Sequence, residues 1–284
     1  MISKSLIIRN YILISLFFLS LNLSGQIKGF GKVRWDSERI APGLVWKSSH
    51  MLLEDTVPQN INILVVNINK RKISLLYNPK QNIPVSRQAS EAGALTAVNA
   101  GFFSIKDCGS MTYIRTNGMI TDSDTAHKWV RNNNMNGSVM IDSHRHLIIT
   151  SAMTNSWYDA HPEFPDILLT GPVLLMDGKK ALLPETSLVI NKHPRSSVGV
   201  INNHKILLIT IDGRADQASG MTLLQLCDLM VSLHCTGAVN LDGGGSTTMW
   251  IKGKPFNGVV NMPCDNGKFD HYGERAVSDI LIIK

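Results

Sequence analysis

Charged and amide side chains collect at the ends of apolar runs in this 284-residue chain. Asn99 follows one such run, Arg195 precedes one, Asp212 and Arg214 follow one, Asp242 follows another, and Glu274 with Arg275 precede the last. Gathered at one rim, they would set three arginines beside three carboxylates. Such a rim suits a substrate that carries a phosphate next to a neutral, hydroxyl-rich group. Arginine is the apt cation, because its planar fork matches phosphate oxygens bidentately. A carboxylate in the same place could stabilise charge developing on a carbon, attack that carbon, or activate water. His193 precedes Pro194 and reads as a structural residue. The other eight histidines show no HExxH spacing, so no metal or other cofactor is expected.

The densest stretch is Asn240-Leu241-Asp242-Gly243-Gly244-Gly245-Ser246-Thr247-Thr248. Three glycines in a row sacrifice local stability for positive φ and for close approach of a ligand to the backbone. Successive N–H groups in such a turn can converge on an anion, and Ser246, Thr247 and Thr248 add hydroxyls. No lysine follows in P-loop spacing, so this is not a Walker motif.

The elements that must position these residues read mostly as strands. Ala238 to Leu241 and Thr247 to Ile251 flank the glycines. Ile61 to Ile68 and Lys72 to Tyr77 read as a hairpin, as do 139–141 with 146–150 and 196–201 with 205–211. Thr222 with Gln225 forms a capping box ahead of a helix whose Leu223, Leu226, Cys227, Met230 and Leu233 share one face. Ser86 reads as the N-cap of a short helix ended by Gly93. Residues 104–137 are polar and read as a long surface excursion. Strict strand–helix alternation is missing, which predicts an α+β fold with mixed or antiparallel sheets, or a barrel-like sheet core, flanked by a few helices. A last strand is expected over 276–282.

Residues 1–25 have the parts of an export signal: Lys4 and Arg9, an apolar run from Tyr11 to Leu23, and a small-residue site at Ser24-Gly25. Export to a periplasm or beyond is therefore expected, with no stable membrane insertion once the segment is removed. Residues 26–59 lack periodicity and read as an arm leading into one domain over 60–284. Loss of Lys4 and Arg9 lowers the formal charge from +6 to +4. That excess is too mild and dispersed for nucleic acid. No cysteine pair has CxxC spacing, so zinc is not indicated. Four cysteines allow three pairings; Cys227 and Cys235, about 12 Å apart on one helix, are too far to bridge unless the helix ends early, so the expected disulfide is Cys108 with Cys264, both in polar, glycine-containing loops, with Cys227 a buried thiol.

Six blocks, in order, resemble the phosphodiester glycosidase domain family: Asn99-Ala100-Gly101-Phe102-Phe103, Thr170-Gly171-Pro172, His193 to Gly199, Asp212-Gly213-Arg214, Asn240 to Thr247 and Glu274-Arg275-Ala276-Val277. The resemblance covers roughly residues 60–284. It implies hydrolysis of a sugar-1-phosphodiester, of the N-acetylglucosamine-1-phospho-sugar kind, at the anomeric carbon, giving free sugar and a phosphomonoester. Asp242 is then the first choice for the catalytic carboxylate, Glu274 the second and Asp212 the third. Arg195, Arg214, Arg275 and the amides of Gly243, Gly244, Gly245 and Ser246 would hold the phosphate. Asn99 and Thr247 would hydrogen-bond sugar or phosphate, and Phe102 would pack a sugar face. Two other readings stand beside this one. The first is a phosphodiesterase with a divalent ion on Asp212, Asp242 and Asp265 or Asp270. The second is a non-catalytic module that binds phosphorylated envelope glycan. The oligomeric state is left open.

Overall fold

The computed structural model describes residues 30, 33–54, 56–122 and 134–284. The expected export segment lies outside the described residues. The strands pair antiparallel in three main sheets. The largest has eight strands in the order Asp36–Ala41, Leu44–Leu53, Val57–Asn67, Lys205–Ile211, Arg195–Asn202, Gly237–Asn240, Val173–Met176 and Lys179–Lys180. A five-stranded sheet holds Leu147–Ser151, Gly137–Ile141, Asp166–Thr170, Ile114–Thr116 and Met119–Asp122. A four-stranded sheet holds Met249–Ile251, Thr96–Asn99, Asp279–Ile283 and Ile73–Tyr77. The result is the expected α+β class built on antiparallel sheets, without closure into a barrel.

Alternation along Lys205–Ile211 explains the layering. Ile206 and Leu208 face a core shared with Val98, Leu281, Val139 and Leu168 of the two smaller sheets. Leu207, Ile209 and Ile211 face the opposite way, onto Leu223, Leu226 and Met230. A period of two side chains thus serves two cores from one strand.

Four α-helices are found among the described residues: α1 (Val85–Glu91), α2 (Asn155–Asp159), α3 (Ser187–Ile190) and α4 (Leu223–Ser232). α4 starts at the expected capping box: Thr222 Oγ1 accepts from the Gln225 amide, and Gln225 Oε1 accepts from the Thr222 amide. Ten residues are marginal as an isolated helix. Burial of Leu223, Leu226, Leu229 and Met230, at about 1.5–3 kcal/mol each, is what fixes it.

Several expectations need correction. Residues 36–53 are not part of an arm but two strands of the large sheet, and Leu44 and Leu53 are buried in its cores. Their partly exposed polar residues disguised them as coil. The segments 61–68 and 72–77 are not hairpin partners. Val57–Asn67 pairs with Lys205–Ile211, whereas Ile73–Tyr77 pairs with Asp279–Ile283 in another sheet. A short link fits a hairpin or a change of sheet equally well, and burial on both faces decided for the latter. Residues 114–122 interrupt the polar excursion with a small hairpin. At α1 the N-cap is Pro84, and Ser86 lies inside the first turn. Cys108 and Cys264 do not bridge: all four cysteines are free thiols, with Cys227 buried as expected.

Candidate functional site

Antiparallel register creates the rim. Ser197 stands opposite Asn240 and Arg195 opposite Ile211, so the start of one strand and the ends of its two neighbours reach the same edge of the large sheet. That edge adjoins the exit of Thr96–Asn99, where the Asp242 amide donates to Ala100 O (2.9 Å). There Phe102, Leu188, His193, Arg195, Arg214, Asn240, Asp242, Gly243 and Gly244 line a pocket of about 190 Å³. This is below the ~300–1,000 Å³ of drug-sized sites. A hollow of about 310 Å³ beside α1 offers the carboxylate of Glu91 but no cation.

Asp242 is partly exposed at the pocket floor. Burial pushes its carboxyl up to about 6, with Asp279 adding to the rise, while the Ser246 hydroxyl, Arg275 and the Gly243 amide pull it down. Gly243 N donates to Asp242 Oδ1 (3.0 Å). Asn99 is wholly engaged in placing this loop. Its Nδ2 donates to Asp242 O (2.7 Å), and its Oδ1 accepts from Ser196 Oγ (2.6 Å) and the Thr248 amide (3.1 Å).

The glycines do not form the open amide cradle expected of them. Gly244 N donates to Pro194 O, Ser246 N to Gly243 O and Thr247 N to Gly244 O. Only Gly245, among residues 243–247, keeps an amide without a partner in the described structure. Their reason is instead close approach. Gly244 has φ +63, and the Arg214 guanidinium lies against it, with Nη2 3.0 Å from where a Cβ would stand. A Cβ on Gly245 would collide with the ion pair of Arg275 and Asp265.

The arginines differ. Arg195 is 2% exposed, and its Nε and Nη2 donate to the main-chain oxygens of Met221, Leu188 and Asn191, each at 2.8 Å. Burial and the nearby Arg214 lower it to about 10. Arg275 is held by Asp265, which raises it, and it acts on Asp242 from beneath the glycines. Arg214 is exposed and left-handed (φ +63), and among the described residues its only hydrogen bond is a long one to Cys264 Sγ (3.9 Å). It is the pocket's available cation.

Two expected carboxylates are elsewhere. Glu274 accepts from the Ser86 amide (3.1 Å) and hydroxyl in the first turn of α1. Asp212 is fully buried and accepts from Asn60 Nδ2, Asn261 Nδ2 and the Met262 amide; burial raises it to about 6. Thr247 is buried outside the pocket lining. The aspartates of the divalent-ion reading are dispersed in the same way. Asp265 pairs with Arg275, and Asp270 accepts from Asn266 Nδ2 and the Tyr272 amide. Among the described residues no three acidic, histidine or cysteine side chains are placed to hold a metal ion.

Sequence reasoning missed Asn240, His193, Leu188 and Asp279. Asn240 Nδ2 donates to Gly171 O (2.9 Å), while its buried Oδ1 has no partner and stands in the pocket lining. Its place beside Asp242 was the available signal. Asp279 sits across Ala100 from Asp242: its main-chain oxygen takes the Ala100 amide and its carboxylate takes the Gly101 amide. Burial raises it also to about 6.

Comparison with known proteins gives four likenesses. The family model for phosphodiester glycosidase matches residues 92–284. An SPbeta prophage-derived uncharacterized protein of Bacillus subtilis (strain 168), YomE, is 38% identical over 92 residues, which is 32% of this chain. The chain spans only 13% of the length of that relative. Among solved structures, the catalytic domain of zebrafish N-acetylglucosamine-1-phosphodiester alpha-N-acetylglucosaminidase, auto-inhibited by its pro-peptide, superposes with a TM-score of 0.67 at 21% identity over 89% of this chain and 87% of that one. A hypothetical protein from Synechocystis superposes at 0.62 with 13% identity, over 89% of this chain and 64% of its own. At such identities the likeness is one of fold.

Proposed function

The chain belongs to the phosphodiester glycosidase family, and on that premise we propose that it hydrolyses a sugar-1-phosphodiester at the anomeric C–O bond, releasing free sugar and a phosphomonoester. The observation that carries the reading is Arg214. An arginine held at φ +63 costs about 1–2 kcal/mol, and the cost is explained if the guanidinium must lie over Gly244 and present its fork to a phosphate beside Asp242. The leaving phosphomonoester has a second pKa near 6, so it departs as a weak base and needs charge neutralisation more than a proton. Arg214 supplies that neutralisation. Asp242 faces the anomeric carbon and stabilises its oxocarbenium character. Phe102 and Leu188 pack the apolar face of the sugar, and Asn240 Oδ1 accepts from a sugar hydroxyl. N-acetylglucosamine-1-phospho-sugars are the narrower substrate class, supported by likeness to the zebrafish enzyme named for that bond. The protein acts after export, which the basic and apolar segment over 1–25 supports.

Hydrolysis in ¹⁸O-water tests the bond cleaved: label in the free sugar supports the glycosidase, and label in phosphate overturns it. Asp242→Asn is expected to abolish turnover while the protein stays folded by circular dichroism. Near-normal turnover would remove Asp242 from the role.

A further inference from the structure

Building on that reading, we propose that His193 is the catalytic base that deprotonates the attacking water, and that substrate phosphate switches it on. His193 lines the pocket together with Asp242, Arg195 and Arg214. Its backbone is pinned on both sides: its amide donates to Met221 O (3.2 Å), its carbonyl accepts from the Met221 amide (3.1 Å), and the following Pro194 O receives the Gly244 amide. The imidazole, by contrast, makes no hydrogen bond among the described residues. A ring that is half-buried, rigidly carried and without a partner is poised for something absent from the protein itself. Of the carboxylates read for the rim, Glu274 is bonded to Ser86 and Asp212 to three donors, while Asp242, whose Oδ1 takes the Gly243 amide, is assigned to the anomeric carbon; the unpartnered Asn240 Oδ1 is an amide oxygen, too weak a base to deprotonate water.

The charges facing the ring explain the switch. Burial, then Arg195, then Arg214 lower its proton affinity, and Asp242 is the one carboxylate in the pocket lining, with Arg275 and Asp265 behind the glycines. The imidazole is therefore neutral, with a free lone pair, but weakly basic while the pocket is empty. A bound phosphodiester neutralises Arg214 and so raises the basicity of His193 when water must be activated. In the step, an imidazole nitrogen takes a proton from water and the water oxygen bonds to C1. The C1–O bond to phosphorus breaks, and its electron pair leaves on the phosphomonoester oxygen under Arg214. The imidazolium then yields its proton to solvent.

Two measurements test this, and the first does not depend on turnover. In a ¹⁵N NMR titration, the His193 pKa should lie below the ordinary 6.5 in the free protein and rise when inorganic phosphate is added; an unchanged pKa overturns the switch. Second, with C–O cleavage first established in the wild type by ¹⁸O label, His193→Gln should lower kcat by about 10²–10⁴-fold with little change in KM. The acid limb of kcat/KM, to which Asp242 and His193 each contribute one ionisation in the free enzyme, should lose that of His193, and imidazole should partly rescue His193→Ala. Wild-type C–O cleavage with an unaltered acid limb and no rescue would reduce His193 to a structural residue. Absence of C–O cleavage in the wild type would instead overturn the proposed function, leaving the NMR result to decide the phosphate linkage.

Discussion

Arg214→Gly should make the protein more stable and far less active. Arg214 adopts φ +63 and is exposed, so its removal takes away little packing. Relief of the left-handed conformation is worth about 1–2 kcal/mol, and the greater freedom of glycine in the unfolded chain takes back about 0.5–1 kcal/mol. The net gain, between zero and about 1.5 kcal/mol, corresponds to a rise of at most about 3–6 °C in Tm for a chain of this size. Activity moves the other way. A bidentate guanidinium–phosphate contact has two charge-assisted hydrogen bonds of about 1.5–3 kcal/mol each. Losing both is expected to lower kcat/KM by about 10²–10⁴-fold. Thermal denaturation by circular dichroism and steady-state kinetics on a sugar-1-phosphodiester measure the two effects on the same preparation. A lower Tm, or kcat/KM close to wild type, would refute the argument that this residue carries strain for the sake of phosphate.

Gly245→Ala should disturb the site from beneath. The new Cβ collides with the Arg275–Asp265 pair, so kcat is expected to fall at least tenfold, the equivalent of about 1.4 kcal/mol, while the far-UV spectrum is unchanged; unaltered kinetics would mean that Arg275 does not act on Asp242. Asp279→Asn should change the pH dependence of stability. The wild-type carboxyl is raised by burial to about 6 in the folded state against about 3.9 unfolded, so the folded state binds the extra proton between these values. Its stability is complete below about pH 4 and declines through pH 6, by up to about 3 kcal/mol. The asparagine variant should therefore gain on the wild type between pH 4 and 7 in urea titrations, and a constant difference would show Asp279 ionised throughout.

The order of motifs along the chain determined the family resemblance, the antiparallel α+β class and the position of the Asp242 loop, because each is written in local pattern: turn residues, alternation and one capping box. The hairpin over 195–211 and helix α4 were legible for the same reason. Tertiary structure alone decided what each polar residue does. Arg195, Asp212 and Glu274 have the residue types of a catalytic rim, yet burial required partners for the first two and Ser86 holds the half-buried third, so that main-chain oxygens, amides, asparagines and a hydroxyl took up their hydrogen bonds. The glycines read as an anion cradle, and packing against Arg214 and Arg275 turned them into a platform. His193, which reads as a mere prelude to proline, kept its ring in the pocket without a hydrogen-bond partner among the described residues. A sequence lists donors and acceptors; which of them are left over for a substrate depends on pairings between residues as far apart as Asn99 and Asp242, which only the fold brings together.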